Sequence, residues 1–237
     1  MASPTSAPAR LFPSPEFPTV PVKGEAAAYP VHRIFCVGRN YAEHAKEMGV
    51  EVDREAPFYF LKSALALVPS GATIPYPPGT SNYHYEMELV VAIGAPAFRV
   101  SVEDAEAAVF GYATGLDMTR RDLQLAERAK QRPWDLGKDF EQSAVIAPLT
   151  RAGDFRLADQ RITLSVGDTT KQDAKLSDLV WSVPELISHL SRFYHLAPGD
   201  LIYTGTPAGV GPVVAGDVIL GEIEGLDPVA LTIGAGE

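Results

Sequence analysis

The 237-residue sequence holds one cysteine, Cys36. A lone thiol makes no internal disulfide and cannot build a thiolate zinc cluster. Its place in the apolar run 34–37 reads as a packed small hydrophobe rather than a nucleophile. Basic clusters are missing as well. Twenty Lys and Arg face thirty Asp and Glu, a formal charge of −10 with no local reversal, which disfavours nucleic acid and anionic membrane surfaces as partners. No stretch approaches the roughly 18 apolar residues of a membrane-spanning helix. Residues 1–10 lack a basic segment followed by an apolar one, so the expected location is cytoplasmic. Three common chemistries also lack their fingerprints. No G-x-G-x-x-G follows a strand, and the glycine-rich 205–211 has no Gly-Lys-Ser/Thr, which leaves a nucleotide cofactor unsupported. There is no G-x-S-x-G elbow, and the five histidines (32, 44, 84, 189, 195) never fall in H-E-x-x-H.

What is present is a chain punctuated by 20 Gly and 20 Pro, seven of the prolines within residues 1–30. That stretch reads as an extended arm with a disordered start, and 31–237 as one domain. Short β-branched and aromatic runs predict strands at 33–37, 58–62, 83–93 and 109–116, and a hairpin of 162–166 with 171–176 around Gly167-Asp168. Helices are expected over 41–48, from Ser101, over 119–130, and from Ser182 to about His195, with capping-box patterns at Ser101 and Ser182. Many strands with a few irregularly placed helices argue for α+β rather than a doubly wound sheet.

The residues with chemical potential are mostly acidic. Glu86 and Glu88 lie in an apolar strand; alternation puts them on one face, about 7 Å apart along the backbone, and like charges so placed call for a cation. An isolated E-x-E is ordinarily a solvated strand edge, and Asp117, at the end of the 109–116 strand, could equally cap the next helix. Together the three would make an oxygen site for Mg²⁺, Mn²⁺ or Ca²⁺. A helix from Asp117 would set Arg121 and Gln124 on its face. Lys138, flanked by glycine and apolar residues, is either an oxyanion stabiliser or a surface lysine. His44 and Glu47, three apart on a short helix, form a pair able to activate water, although Glu43, His44, Lys46 and Glu47 also read as a solvated face. Arg39 and Lys62 are unremarkable taken singly.

Six ordered segments carry a resemblance: Val37-Gly38-Arg39-Asn40-Tyr41-Ala42-Glu43-His44, Phe60-Leu61-Lys62, His84-Tyr85-Glu86-Met87-Glu88, Gly115-Leu116-Asp117-Met118-Thr119, Gly137-Lys138-Asp139-Phe140 and Thr204-Gly205-Thr206-Pro207. From about Val31 to Ile233 the chain resembles the fumarylacetoacetate hydrolase superfamily. The runs 115–124 and 132–135 are most similar to its acylpyruvate hydrolases, the fumarylpyruvate hydrolases of gentisate-type aromatic catabolism among them. Tyr85 stands where many relatives have His, and Ser63 where Pro is common. The resemblance implies a β-rich mixed roll with a few peripheral helices, in a homodimer. It implies Glu86, Glu88 and Asp117 as ligands of Mg²⁺ or Mn²⁺, with Ca²⁺ a non-physiological occupant, and His44 with Glu47 as the water-activating pair on a lid helix. Lys138 is implied as the enolate stabiliser, and Arg39, Lys62, Arg121, Gln124 and Thr206 as substrate contacts. The expected reaction is hydrolysis of a small anionic 2,4-dioxo acid, with Arg39, Arg120 or Arg121 holding its far carboxylate. Oxaloacetate decarboxylation, dienedioate isomerisation and a non-catalytic metal-binding role are the alternatives.

Overall fold

The computed structural model describes residues 11–13, 16–49 and 54–236. The expected disorder of the first ten residues lies outside them. Strands dominate the described residues, as the turn-rich pattern predicts, and they join in a mixed arrangement rather than a βαβ series.

An eight-stranded sheet runs Phe58–Lys62, Arg33–Gly38, Asp200–Tyr203, Met87–Ile93, Val109–Asp117, Ala144–Ile146 and Leu67–Pro69, with Thr150–Arg151 added on Val109–Asp117. Two of its pairings are parallel, Arg33–Gly38 with Asp200–Tyr203 and Leu67–Pro69 with Ala144–Ile146. A five-stranded sheet, Thr169–Lys175, Arg161–Val166, Val218–Ile223, Val229–Gly236 and Ala72–Tyr76, packs against it. The strand Met87–Ile93 is buried along its whole length because both faces are covered. Met87, Leu89, Val91 and Ile93 meet Ile162, Leu164, Ile219 and Leu231 of the five-stranded sheet. Val90 and Ala92 face a second cluster built with Cys36, Ala113, Val20 and Tyr29. Cys36 is fully buried there, a packing residue as its surroundings in sequence suggest.

The proline-rich stretch is more ordered than an arm from Thr19 onward. Thr19–Pro21 pairs with Ala28–Pro30, and Val20, Val22 and Tyr29 enter the second cluster. Tyr29 Oη donates to the carbonyls of Ile93 (2.8 Å) and Asp200 (3.0 Å), which ties the hairpin to two central strands. Proline allows this because a two-stranded ribbon leaves outward N–H positions unpaired.

Three predicted elements differ in ways that matter for the site. The strand expected over 83–93 breaks at Glu86: Tyr83–Tyr85 leaves the large sheet to pair with Thr119–Arg120 and Gly211–Val213. The helix expected over 119–130 starts at Arg121, because Thr119 and Arg120 are used as strand opposite His84 and Tyr83. The helix from Ser182 ends at Leu190, and its capping box with Glu185 is present. The hairpin around Gly167-Asp168 forms as Arg161–Val166 with Thr169–Lys175.

Candidate metal and acid–base centre

The break at Glu86 and the register next to it assemble the acidic group. Glu88 is paired with Gly115 and Met87 with Leu116, while the Asp117 N–H donates to the Glu86 carbonyl at 2.9 Å. Glu86, Glu88 and Asp117 are therefore neighbours across two strands, although 29 residues separate the second from the third. All three are buried, and one oxygen from each lies within 4.8 Å of the others. Asp117 stands on its strand and not on the helix, so it shares no helical face with Arg121 and Gln124 as the sequence pattern suggested. Those two do sit together: Arg121 Nη1 donates to Gln124 Oε1 at 2.5 Å, and Arg121 Nη2 donates to Glu86.

Two lysines meet the carboxylates, at different depths. Lys138 Nζ donates to Glu86 Oε2 (2.6 Å), Asp117 Oδ2 (2.7 Å) and Thr119 Oγ1 (2.7 Å). The turn that carries it approaches the Arg121–Ala129 helix so closely that a Cβ on Gly137 would lie 2.8 Å from the Gln124 backbone nitrogen. Lys62 lies beneath the group and does not line the cavity described below. Its Nζ donates to the Met118 carbonyl (3.0 Å) and the Lys138 carbonyl and is 2.9 Å from Asp117 Oδ1. That makes Lys62 a buried counter-ion, where the resemblance implied a substrate contact. The strand that carries it projects it into the wall rather than into the opening.

The donor set fits a divalent cation. Lys62 directs two of its three N–H donors to carbonyls and meets Asp117 Oδ1 at 2.9 Å as an ion pair outside hydrogen-bond geometry, so that buried oxygen keeps lone pairs for a cation. Among the described residues Glu88 receives only the Gly205 N–H, at 2.8 Å. Gly205 takes φ 101° to present that N–H, and a Cβ there would meet Asn40 at 2.7 Å. Burial and the nearby Asp117 and Glu86 charges push the Glu88 carboxyl well above its ordinary value. Glu86 goes the other way: burial opposes its charge, but Lys138 and Arg121 hold it far below the usual carboxylate range. Burial works against the Lys138 charge too, and Asp117 and Glu86 outweigh it and keep the ammonium protonated. Three carboxylates against Lys62, Lys138 and Arg121 sum to zero, so a bound divalent ion would make the centre +2, the sign an anionic substrate needs.

His44 opens on the same cavity, which Glu86, Glu88, Arg121, Gln124, Lys138 and Thr206 also line and which encloses ≈ 470 Å³ of empty space with its mouth. Its Nδ1 is 3.3 Å from Glu47 Oε2, which assigns the proton to Nδ1 and the lone pair to Nε2. Burial lowers the His44 pKa, against the raising influence of Glu86 and Glu47, so the ring is neutral at neutral pH. Glu47 accepts from the Gly209 N–H at 3.2 Å, and Tyr85 Oη donates to the Gly209 carbonyl at 3.2 Å. Tyr85 thus holds the loop that holds Glu47. Ser63 serves locally: its Oγ accepts from Leu65 N, and its N–H donates to Asp139 Oδ1 at 2.7 Å. Arg120 lies away from the cavity, over the Phe140 ring at 4.1 Å.

Sequence reasoning missed Gln172. Fully buried on the five-stranded sheet, it accepts from the Met87 N–H at 3.0 Å and donates to Thr206 Oγ1 and the Pro207 carbonyl, both at 2.8 Å. It supplies the ladder partner that Met87 loses at the strand break, between the two glutamates. Only a run of polar residues, Thr169 to Lys175, interrupted by a buried position could have signalled it. Gln172→Leu is expected to cost about 1–3 kcal/mol of stability through the orphaned Met87 N–H. It should also weaken Mn²⁺ binding roughly 10-fold or more by loosening the strand that bears the ligands. Thermal unfolding and a Mn²⁺ titration measure both, and wild-type values in each would remove Gln172 from the site's support.

A cation held by three buried carboxylates, a neutral imidazole with an oriented partner and a charged ammonium all serve the handling of developing oxyanions. The class that fold and site define together is a metal-dependent enzyme with an acid–base pair beside its cation site. The chain belongs to the fumarylacetoacetate hydrolase family, whose C-terminal domain, "Fumarylacetoacetate (FAA) hydrolase C-terminal", matches residues 33–233. A fumarylpyruvate hydrolase of a Ralstonia species is 55% identical over 80% of this chain and 100% of its own length. An oxaloacetate tautomerase of Escherichia coli is 36% identical over 86% and 93%. Among solved structures, a fumarylpyruvate hydrolase of Pseudomonas aeruginosa in complex with Mn²⁺ and pyruvate superposes with a TM-score of 0.93 at 46% identity, over 96% of this chain and 100% of its own.

Proposed function

We propose that the chain hydrolyses a carbon–carbon bond of a 2,4-dioxo acid, with fumarylpyruvate as substrate and fumarate and pyruvate as products. One observation carries this reading: the His44–Glu47 pair opens on the same cavity as the carboxylate group, so a base for water stands beside the cation site. Decarboxylation of oxaloacetate or isomerisation of a dienedioate requires no attacking water. The 55% identity to a fumarylpyruvate hydrolase, against 36% to an oxaloacetate tautomerase, supports the same choice.

A divalent ion at Glu86, Glu88 and Asp117 supplies Lewis-acid polarisation of the pyruvyl end. His44 Nε2 takes a proton from water, and Glu47 fixes the ring through Nδ1–H. The hydroxide oxygen bonds to the distal ketone carbon. As the tetrahedral adduct collapses, the carbon–carbon bond breaks, its electron pair passes to the pyruvyl fragment, and the proton returns from His44. Lys138, its three donors held by Glu86, Asp117 and Thr119, places its positive charge beside the developing enolate, and Arg121 with Gln124, fixed to one another, borders the pyruvyl carboxylate. Thr206, anchored by Gln172, closes the opposite wall.

The test is pyruvate and fumarate release from fumarylpyruvate with Mg²⁺ or Mn²⁺, with oxaloacetate as comparator. Turnover is expected to vanish with chelator and return with either ion. Intact fumarylpyruvate in the metal-loaded protein would overturn the assignment. The homodimer and the cytoplasmic setting belong to the same proposal; size-exclusion chromatography separates a 25.4 kDa chain from one of twice that mass.

A further inference from the structure

Of the cations at the cavity, Arg121 and Lys138 are committed to the carboxylate group. Arg39 and Arg128 are not. Both line the cavity on the side away from the carboxylates, and both continue into the adjoining groove of Phe58, Phe60 and Trp134. Among the described residues neither has an acidic partner. Arg39 lies over the Phe58 ring at 5.8 Å, and Arg128 makes one long contact, Nη1 to the Met48 carbonyl at 3.4 Å. Arg128 follows Arg121 by seven and Gln124 by four, so the three share one face of the Arg121–Ala129 helix, turned to the cavity.

Two further features mark the pair as built for a ligand. Arg39 is a non-glycine residue in left-handed backbone at φ 60°, a conformation that costs about 1–3 kcal/mol and gathers where function requires it. Asn40 locks that turn: its Nδ2 donates to the Trp181 (3.0 Å) and Thr204 (2.8 Å) carbonyls, and its Oδ1 accepts from the Trp181 N–H at 2.7 Å. Phe58 and Trp134 meet edge to face at 5.0 Å and 67°, with the Phe60 ring 6.1 Å from Trp134. These packed rings form an apolar wall beside the two guanidinium groups, where an ion pair is less screened than in open water. Burial first, and the Arg128 charge second, depress the Arg39 pKa.

We propose that Arg39 and Arg128 receive the carboxylate at the far end of the acyl chain, beside the Phe58–Trp134 wall, and so select acylpyruvates whose acyl group ends in a second carboxylate. This rests on the acylpyruvate reading above and replaces Arg120 and Arg121, which face a ring and a glutamate respectively. The two ends of the substrate dianion would meet positive charge at opposite ends of one cavity.

The experiment compares kcat/KM for fumarylpyruvate and acetylpyruvate, which share the scissile bond and differ in the far carboxylate, in wild type, Arg39→Met, Arg128→Met and Arg128→Lys. Each Met variant is expected to lower the fumarylpyruvate-to-acetylpyruvate preference by about 10- to 100-fold, the worth of a charge-assisted hydrogen bond, with partial recovery in Arg128→Lys. Calorimetry on the Mg²⁺-loaded protein adds a readout that needs no turnover: fumarate is expected to bind more tightly than crotonate, and the difference to disappear in both Met variants. Hydrolysis with an unchanged preference in both variants would overturn the receptor and leave the acylpyruvate reading intact, as would equal binding of fumarate and crotonate by wild type. Arginine-dependent fumarate binding in a protein that cleaves neither acylpyruvate would support the receptor and sink the reading on which it was built.

Discussion

Replacing His44 by alanine is expected to lower kcat for fumarylpyruvate by about 10³-fold, the usual worth of a positioned general base, with Mn²⁺ affinity close to wild type. The separation follows from the geometry: His44 lines the cavity, whereas the cation site is made of Glu86, Glu88 and Asp117 oxygens with no histidine among them. Glu47→Gln keeps an acceptor for Nδ1–H and loses the charge, so its activity should fall between the two. The pH profile carries independent information. Burial sets the His44 pKa below its ordinary value of 6.5, and a base works when deprotonated, so kcat/KM should rise with pH along an acid limb centred below 6.5 and level off above it. Cation binding at Glu86 cancels one of the charges that raise His44 and moves the limb further to acid. Normal turnover in His44→Ala, or an acid limb centred above pH 7, would remove His44 from the role of base.

The second large effect is a contrast between two carboxylates of one group. Asp117→Asn leaves Lys62, wholly buried, without an anionic partner and takes one of two from Lys138. Breaking a buried pair in this way costs about 3–5 kcal/mol, roughly 10 °C in Tm for a chain of this size. Among the described residues Glu88 has no lysine or arginine in contact; its partner is the Gly205 N–H, which an amide oxygen can also accept. Glu88→Gln is therefore expected to leave the metal-free protein as stable as wild type or more so. Both variants should lose the Mn²⁺-induced rise in Tm, which for a bound ion at about 100 times its Kd corresponds to roughly 2.7 kcal/mol. The sign with pH follows from the raised Glu88 pKa. The folded state holds that proton more firmly than the unfolded chain does, so folding loses stability as pH rises from the ordinary carboxylate range toward the raised value. Metal-free Glu88→Gln should accordingly gain on wild type as pH goes from about 5 to 8. Differential scanning fluorimetry with and without Mn²⁺ measures all of this. A retained metal shift in Glu88→Gln would remove Glu88 from the ligand set, and a metal-free Asp117→Asn as stable as wild type would contradict the role of Lys62.

Much of this site was legible in the order of residues. Alternation placed Glu86 with Glu88, helical spacing placed His44 with Glu47, and a strand ending at Asp117 placed a third carboxylate at an element's edge. Spacing of three and four could also have added Arg128 to Arg121 and Gln124. These are properties of period, which a few consecutive residues carry by themselves. The break at Glu86 was not legible, because the run 83–93 is uniformly strand-like. Only pairing of Tyr83–Tyr85 with Thr119–Arg120 and Gly211–Val213 pulls it out of the large sheet. Nor was the difference between Lys62 and Lys138 visible, since each is a lysine beside apolar residues. One lies in the wall and the other at the opening because of where their elements sit relative to Val109–Asp117. The sequence by itself determined the β-rich class and pointed to the three carboxylates and to His44 with Glu47. Tertiary structure decided register, depth and which charges remain unpaired, because those depend on contacts between segments tens of residues apart, and no local period encodes them.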